Sequence, residues 1–174
     1  QQARGALCMS ENVLAIRYAT TEMREIFSER GKIQAERNLW IAVMKAQKQV
    51  GLDIPSEDII KFEGAVNDID MNFIEKREKE TRHDVKAKIE AFVKAAGAGQ
   101  YIHLGMTSRD LTDNVEQMQV RTASNLIFDR YASVLRRMVD KAKEYKDTFL
   151  TARTHLQPAQ LTSLGRRFAM WAEE

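Results

Sequence analysis

The sequence is poor in cysteine, proline and glycine, with one, two and eight of them respectively among 174 residues. One cysteine, Cys8, cannot form an internal disulfide, which excludes disulfide-stapled secreted proteins and fits a reducing compartment. The scarcity of proline and glycine, with no alternating apolar and polar runs, disfavours a turn-rich β protein. No apolar stretch approaches the roughly 18 residues that a membrane-spanning helix needs. We therefore expect a cytoplasmic chain with no membrane partner.

The sequence also lacks an excess of one charge, because its 27 Lys and Arg residues nearly balance its 25 Asp and Glu residues, for a formal net charge of +2. This balance gives no electrostatic attraction to nucleic acid, and no dense basic run occurs. The sequence contains no Cys and His set at metal-binding spacing and no phosphate loop of the nucleoside triphosphatase type. We expect neither a nucleic-acid partner nor a metal.

Apolar residues recur instead at helical spacing. A stripe through Ile33, Trp40 and Met44 predicts a helix that stops at Gly51. Further helices are predicted to begin at Pro55, after an N-cap at Asp70, and at Arg82. The helix from Arg82 is predicted to end at Gly97.

The longest predicted helix begins near Arg109, with Ser108 as its N-cap. Its roughly 36 to 40 residues span about 55 to 60 Å, a length that indicates packing in a bundle. Pro158 suits the first turn of a final helix, in which its missing N–H costs little. The sequence ends inside that helix, which we interpret as a truncation; a frayed terminal helix is the alternative.

The predicted fold class is therefore all-α. Residues 1–12 are interpreted as a leader or tag remnant. Residues 13–107 are predicted to form a small N-terminal helical domain, and residues 108–174 the truncated start of a central domain built as a long-helix bundle.

Polar clusters supply the candidate site residues. His155 follows Thr154 and precedes Gln157, just before the predicted start of the final helix. A histidine placed there between hydroxyl and amide side chains is suited to proton transfer. His83 lies between Arg82 and Asp84, a triplet that is also typical of a charged helix N-terminus.

Two further clusters can bind anions. Thr107 and Ser108 place hydroxyls and free N–H groups at a helix start. Arg17 can meet phosphate oxygens bidentately, with the Tyr18 hydroxyl beside it, although the pair could equally lie on a surface arm. His103 is interpreted as a structural loop residue.

In this order the segments resemble the adenylosuccinate lyases of the fumarase/aspartase superfamily, from about Val13 to the C-terminus. The resemblance is carried by the following segments: Arg17-Tyr18-Ala19-Thr20, Glu36-Arg37-Asn38-Leu39-Trp40, Thr81-Arg82-His83-Asp84-Val85, His103-Leu104-Gly105-Met106-Thr107-Ser108 with Asp113-Asn114, and Thr154-His155-Leu156-Gln157-Pro158-Ala159-Gln160.

The resemblance implies a role for each candidate. His155 is the general acid that protonates the leaving nitrogen, with Thr154 and Gln157 hydrogen-bonding around it. The implied substrate-binding groups are Arg17 and Tyr18 for the phosphate-bearing end, Arg82, His83 and Asp84 for the nucleotide, and Thr107 and Ser108 for a succinyl carboxylate.

The implied reaction is β-elimination of fumarate from adenylosuccinate, giving AMP, and from succinylated aminoimidazole carboxamide ribotide, both in purine biosynthesis. It needs no metal and no organic cofactor. The family is homotetrameric, and its catalytic serine lies on a loop that this sequence lacks, so we expect an N-terminal portion that is inactive alone. Two alternatives are another superfamily lyase, such as argininosuccinate lyase, and a non-catalytic helical interaction module.

Overall fold

The computed structural model describes residues 12–174, so the leader predicted over residues 1–12 lies outside the described residues except for Asn12. The side chain of Asn12 caps the first helix by accepting the Leu14 N–H. The elements are, in chain order, α1 Val13–Tyr18, α2 Thr21–Ile26, α3 Glu29–Gln49, α4 Ser56–Gly64, α5 Met71–Thr81, α6 Asp84–Ala96, α7 Ser108–Glu144, β1 Phe149–Thr154, β2 Gln157–Ser163 and α8 Leu164–Glu173.

Helices make up most of this chain, which confirms the predicted helical class. Several predicted helix ends are also found: the Asp70 carboxylate accepts the Phe73 N–H at the start of α5, and Gly97 ends α6 with a φ of 59°. The longest helix, α7, has 37 residues. In the part of the chain that the structure describes, no helix is both long and apolar enough to cross a membrane.

The chain divides into two compact units, one ending at Ala123 and the other comprising Ser124–Glu174. The core of the first unit is aromatic at its centre. The Trp40 and Phe92 rings stack with centroids 6.3 Å apart, and Phe62 meets Phe92 edge-on at 4.9 Å. Leu111 of α7 is fully buried in the same core. The first turns of α7 thus belong to this unit, and the domain division before residue 108 stays a prediction.

Arg37 is a buried cation within this unit. Its Nη1 donates to the carbonyl oxygens of Ala65 and Asp68 at 2.7 and 2.8 Å, and its guanidinium lies 4.4 Å from the centroid of the Phe92 ring. Burial lowers the pKa of Arg37 to about 10. Arg37 therefore ties the loop after α4 to α3 by satisfying carbonyls that would otherwise be buried unpaired.

A β-hairpin in the second unit is the main departure from the all-α prediction. Strand β1 pairs antiparallel with β2, with Arg153 opposite Pro158 and Thr154 opposite Gln157. The prediction that Pro158 begins a final helix is wrong, because Pro158 lies in β2 and α8 starts at Leu164.

Two physical reasons explain the missed hairpin. No residue of either strand is fully buried, and the apolar and polar residues alternate only over residues 150–153, which is too short a run to stand out as a strand. Proline is also tolerated in a two-stranded sheet because every strand is an edge strand.

The close packing of α8 against the C-terminal end of α7 depends on Gly165. The N–H groups of Leu164 and Gly165 donate to the carbonyl oxygens of Thr148 and Tyr145, both at 2.9 Å. A Cβ atom on Gly165 would lie 2.4 Å from the Ala142 carbonyl oxygen and 2.6 Å from the Lys146 Cα. Only glycine allows the backbone of α8 to approach the end of α7 this closely.

We predict that Gly165→Ala destabilises the second unit by about 1 to 3 kcal/mol, because the added methyl group forces the two backbones apart. The free energy of unfolding from urea denaturation measures the effect. Gly64→Ala is the matched control: Gly64 is helical and a Cβ there meets nothing within 4 Å, so alanine should stabilise by about 0.5 to 1 kcal/mol. Equal effects of the two substitutions would contradict the close approach.

Candidate active site

The corner between α5 and α6 presents three of the predicted site residues. Arg82 ends α5 in the left-handed conformation, with a φ of 54°, and its N–H donates to the Glu78 carbonyl oxygen at 2.7 Å. His83 is the N-cap of α6, and Asp84 is the first residue of that helix. The left-handed residue turns the chain sharply, so the three side chains leave one tight corner.

His83 is held by a hydrogen bond that also fixes its tautomer. Its Nδ1 accepts the backbone N–H of Lys86 at 3.2 Å. In the neutral ring, a nitrogen that accepts leaves the proton on the other nitrogen, so Nε2–H is available as a donor. The side chain is 51% exposed. His83 can therefore cap α6 and donate to an anion at the same time.

The corner lines an open cleft with a volume of about 680 Å³. Ser108, from the start of α7, lines the same cleft. The structure thus brings together four residues predicted from separate segments of the sequence. The cleft lining as a whole comprises Glu75, Glu78, Lys79, Arg82, His83, Asp84 and Ser108.

At the start of α7, the prediction that Ser108 is the N-cap is wrong, because Ser108 is the first helical residue. The Asp110 carboxylate reaches back to accept the Thr107 N–H at 2.8 Å, while the Asp110 N–H donates to the Thr107 carbonyl at 3.1 Å. This reciprocal pairing is an N-terminal capping arrangement. Among residues 12–174, neither the Thr107 nor the Ser108 hydroxyl has a hydrogen-bond partner. Both hydroxyls therefore stay available to a ligand.

His103 lies in the loop before α7 and has a structural contact there, as expected for a structural loop residue. The buried indole of Trp40 donates from Nε1 to His103 Nδ1 at 3.0 Å. Burial lowers the pKa of His103, with the Asp110 charge opposing and the His83 charge reinforcing that shift. His103 therefore lies within electrostatic reach of the α5–α6 corner. The position of His103 shortly before Thr107 was the sequence signal that could have placed it there.

His155 lies at the tip of the hairpin in the second unit, so the prediction that it directly precedes a helix is wrong. His155 and Leu156 are the turn residues, with φ values of 47° and 64°. Thr154 and Gln157 form the strand pair that closes the turn. Two residues with positive φ are what the common two-residue hairpin turns require, although non-glycine residues adopt that conformation at a cost. All four side chains are exposed.

Arg17 and Tyr18 are the last residues of α1, and both are exposed. Neither lines the cleft at the α5–α6 corner. Within the described chain, no group of three or more His, Cys, Asp and Glu side chains is arranged to hold a metal ion.

Comparison with known proteins places this chain in a family. A family model described as "Lyase" matches residues 15–174. Adenylosuccinate lyase of Schistosoma mansoni is 37% identical over 164 residues, a match that covers 94% of this chain and 34% of that protein. The adenylosuccinate lyase of Methanocaldococcus jannaschii is 35% identical over 170 residues, covering 95% and 37% respectively. The chain thus spans about a third of the length of these curated relatives.

Solved structures show the same architecture. A fumarate lyase from Mesorhizobium sp. BNC1 superposes with a TM-score of 0.74 at 28% identity, covering 87% of this chain and 36% of that one. The 3-carboxy-cis,cis-muconate lactonizing enzyme from Pseudomonas putida superposes with a TM-score of 0.76 at 27% identity, covering 92% and 38% respectively.

We predict that His103 is neutral at neutral pH, with its proton on Nε2, because an indole N–H can only donate to Nδ1. The folded-state pKa is lowered from the ordinary 6.5. The stability that His103 contributes is therefore complete above the unfolded pKa, and it is lost as the pH falls through the folded value.

Long-range ¹⁵N–¹H correlation spectra of the imidazoles would measure this tautomer, and histidine-to-glutamine variants would assign the three histidines. Trp40→Phe is the control, since it removes the donor and should free His103 to sample both tautomers. A proton found on Nδ1 in the unaltered protein, or a His103 pKa at or above the ordinary value, would show the prediction to be wrong.

Proposed function

This chain belongs to the lyase family, and from that membership we propose that the whole protein is an adenylosuccinate lyase. It eliminates fumarate from adenylosuccinate, giving AMP, and from succinylated aminoimidazole carboxamide ribotide, two reactions of purine biosynthesis. The names of the relatives support the substrate class. The observation that carries the proposal is the cleft in which Arg82, His83, Asp84 and Ser108 meet.

The proposed reaction is a β-elimination. A base removes a proton from the carbon next to a carboxylate, the electron pair forms the new double bond, and the bond from carbon to the purine-linked nitrogen breaks. The substrate carries two carboxylates and a phosphate, and negative charge builds up on one carboxylate before that bond breaks. Cations and hydrogen-bond donors fixed in advance stabilise such charge more effectively than water does.

The Arg82, His83 and Ser108 side of the cleft offers this kind of stabilisation, while Glu75, Glu78 and Asp84 also line the cleft. Arg82 provides a permanent cation, and its planar guanidinium can bind a carboxylate or phosphate through two hydrogen bonds. His83 offers Nε2–H because Nδ1 is occupied by the Lys86 N–H. The unpartnered hydroxyls of Thr107 and Ser108 add two donors near the N-terminus of α7, where the helix dipole also favours negative charge. Arg17 and Tyr18 are proposed to hold the phosphate-bearing end.

His155 is proposed as the general acid that protonates the leaving nitrogen. An imidazole can give up and recover a proton within each turnover at neutral pH. Its exposed position between Thr154 and Gln157 leaves both ring nitrogens open to substrate and to these polar neighbours. The base is proposed to be a serine in a part of the whole protein that this chain does not contain, so the chain alone is expected to be inactive.

We also propose a cytoplasmic homotetramer. In the second unit, Phe128 and Tyr131 of α7 are 69% and 72% exposed. Large apolar surfaces of this kind usually mark interfaces. A non-catalytic interaction module would explain such a surface as well, but it would have no use for the hydroxyls and cations of the cleft.

Replacement of His155 by asparagine in the whole protein should lower kcat for fumarate release from adenylosuccinate by about 100- to 10,000-fold, the usual contribution of a general acid. Asparagine is preferred to alanine because it tolerates the positive φ of the hairpin turn. Leu156→Gly is the matched control, since it alters the neighbouring residue of the same turn and should leave kcat nearly unchanged. Retained activity in His155→Asn would contradict the role of general acid.

Replacement of His83 by asparagine separates its two roles. Asparagine is a good N-cap, so stability should stay within about 0.5 kcal/mol of the unaltered protein, whereas His83→Ala should lose about 1 kcal/mol. Both variants should lose the Nε2–H donor and show a raised KM for adenylosuccinate. Thermal unfolding and steady-state kinetics measure the two effects, and an unchanged KM in His83→Asn would limit His83 to capping.

A further inference from the structure

Glu36 is a buried acid that the proposed reaction does not use. It lies on the face of α3 that packs into the first unit, with Ile33 and Trp40 on the same face, and it is 0% exposed. A carboxylate in such a place costs free energy unless another group compensates its charge. Burial raises the pKa of Glu36, and the nearby cations Lys88 and Lys32 oppose that rise.

The compensating group is Lys88 of α6. Its Nζ lies 2.8 Å from Glu36 Oε1, and its side chain is 12% exposed. The other carboxylate oxygen, Oε2, has no hydrogen-bond partner among the described residues. This ion pair therefore joins α3 to α6 through one hydrogen bond in a largely water-free place.

Lys88 also faces Asp84, which lies one turn earlier on α6 and lines the cleft. The Lys88 Nζ is 3.9 Å from Asp84 Oδ2, beyond hydrogen-bond distance. Within residues 12–174, no group donates a hydrogen bond to the Asp84 carboxylate. Lys88 thus hydrogen-bonds to Glu36 and not to Asp84, which has only longer contacts, at 3.9 Å, with Lys88 and with His83 Nδ1.

A buried ion pair is weak evidence for stability, since apolar residues of similar volume often serve as well. Exposed ion pairs already link other helices of this unit, such as Lys45 with Glu63. The distinctive property of the buried pair is that its ammonium also lies 3.9 Å from the carboxylate of Asp84, a residue that lines the cleft.

We propose that Glu36 and Lys88 are positioning residues for the substrate cleft. By holding the Lys88 ammonium at Glu36, the pair keeps the Asp84 carboxylate free to receive a hydrogen bond from the substrate. It also fixes the first turn of α6, and with it His83, relative to α3. This inference rests on the proposed function, because it assigns the freed carboxylate to that substrate.

The test uses the whole protein, with steady-state kinetics on adenylosuccinate. In Glu36→Leu, the released Lys88 ammonium is free to bind Asp84, so KM should rise by about tenfold, the effect expected when the substrate loses one hydrogen bond to a charged group. In the charge-free double variant Glu36→Leu with Lys88→Met, KM should rise by a smaller factor, about threefold to fivefold, because α6 loses its anchor but Asp84 stays free. In both variants kcat should change less than twofold.

The matched control is Lys45→Met with Glu63→Leu, which removes a Lys–Glu pair between α3 and α4 and should leave KM unchanged. Thermal unfolding of every variant separates positioning from stability. An active, folded double variant with unaltered KM would overturn the inference, and so would a double variant that fails to fold. If the unaltered whole protein folds but releases no fumarate from adenylosuccinate, the proposed function is wrong, and this inference is wrong with it.

Discussion

The packing of Trp40 is the interaction on which the first unit and its cleft depend. One face of the indole stacks on Phe92, in the aromatic centre that also holds Phe62. Its N–H donates to His103 at 3.0 Å. A buried indole N–H must find an acceptor, so one side chain both fills the core and orients a histidine near the cleft. This contact joins α3 to the loop before α7, as does the hydrogen bond from Gln47 Nε2 to the Leu104 carbonyl oxygen at 2.7 Å.

Helix ends build the rest of the cleft. Arg82 closes α5 in the left-handed conformation, His83 caps α6, and Asp110 caps α7 through the Thr107 N–H. Backbone N–H groups at the start of a helix lack partners within their own helix. Side chains from short polar segments accept hydrogen bonds from these groups, and such segments lie close together at the cleft. A segment that meets a structural need in this way can also present a functional group without further ordering. His83 is the example, because Nδ1 caps α6 while Nε2–H stays available as a donor.

The sequence predicted the elements whose signals are local. Helical periodicity placed α3 and α7, and the cap at Asp70 and the stop at Gly97 are found as expected. The hairpin was missed because no residue of its strands is fully buried and the alternation in β1 extends over only four residues. The Trp40–His103 and Glu36–Lys88 contacts join residues far apart in sequence, and a single sequence contains no signal for such pairs. The predicted start of α7 is one residue too late, because Ser108 is the first helical residue and the capping carboxylate belongs to Asp110.

The most direct test of the proposed function is the choice of substrate. Fumarate release would be measured for the whole protein with adenylosuccinate and, separately, with argininosuccinate. The proposed function predicts rapid release of fumarate from adenylosuccinate and no measurable release from argininosuccinate. Release from argininosuccinate alone would assign the cleft to another lyase of the superfamily, and a folded protein that releases fumarate from neither would contradict the lyase assignment itself.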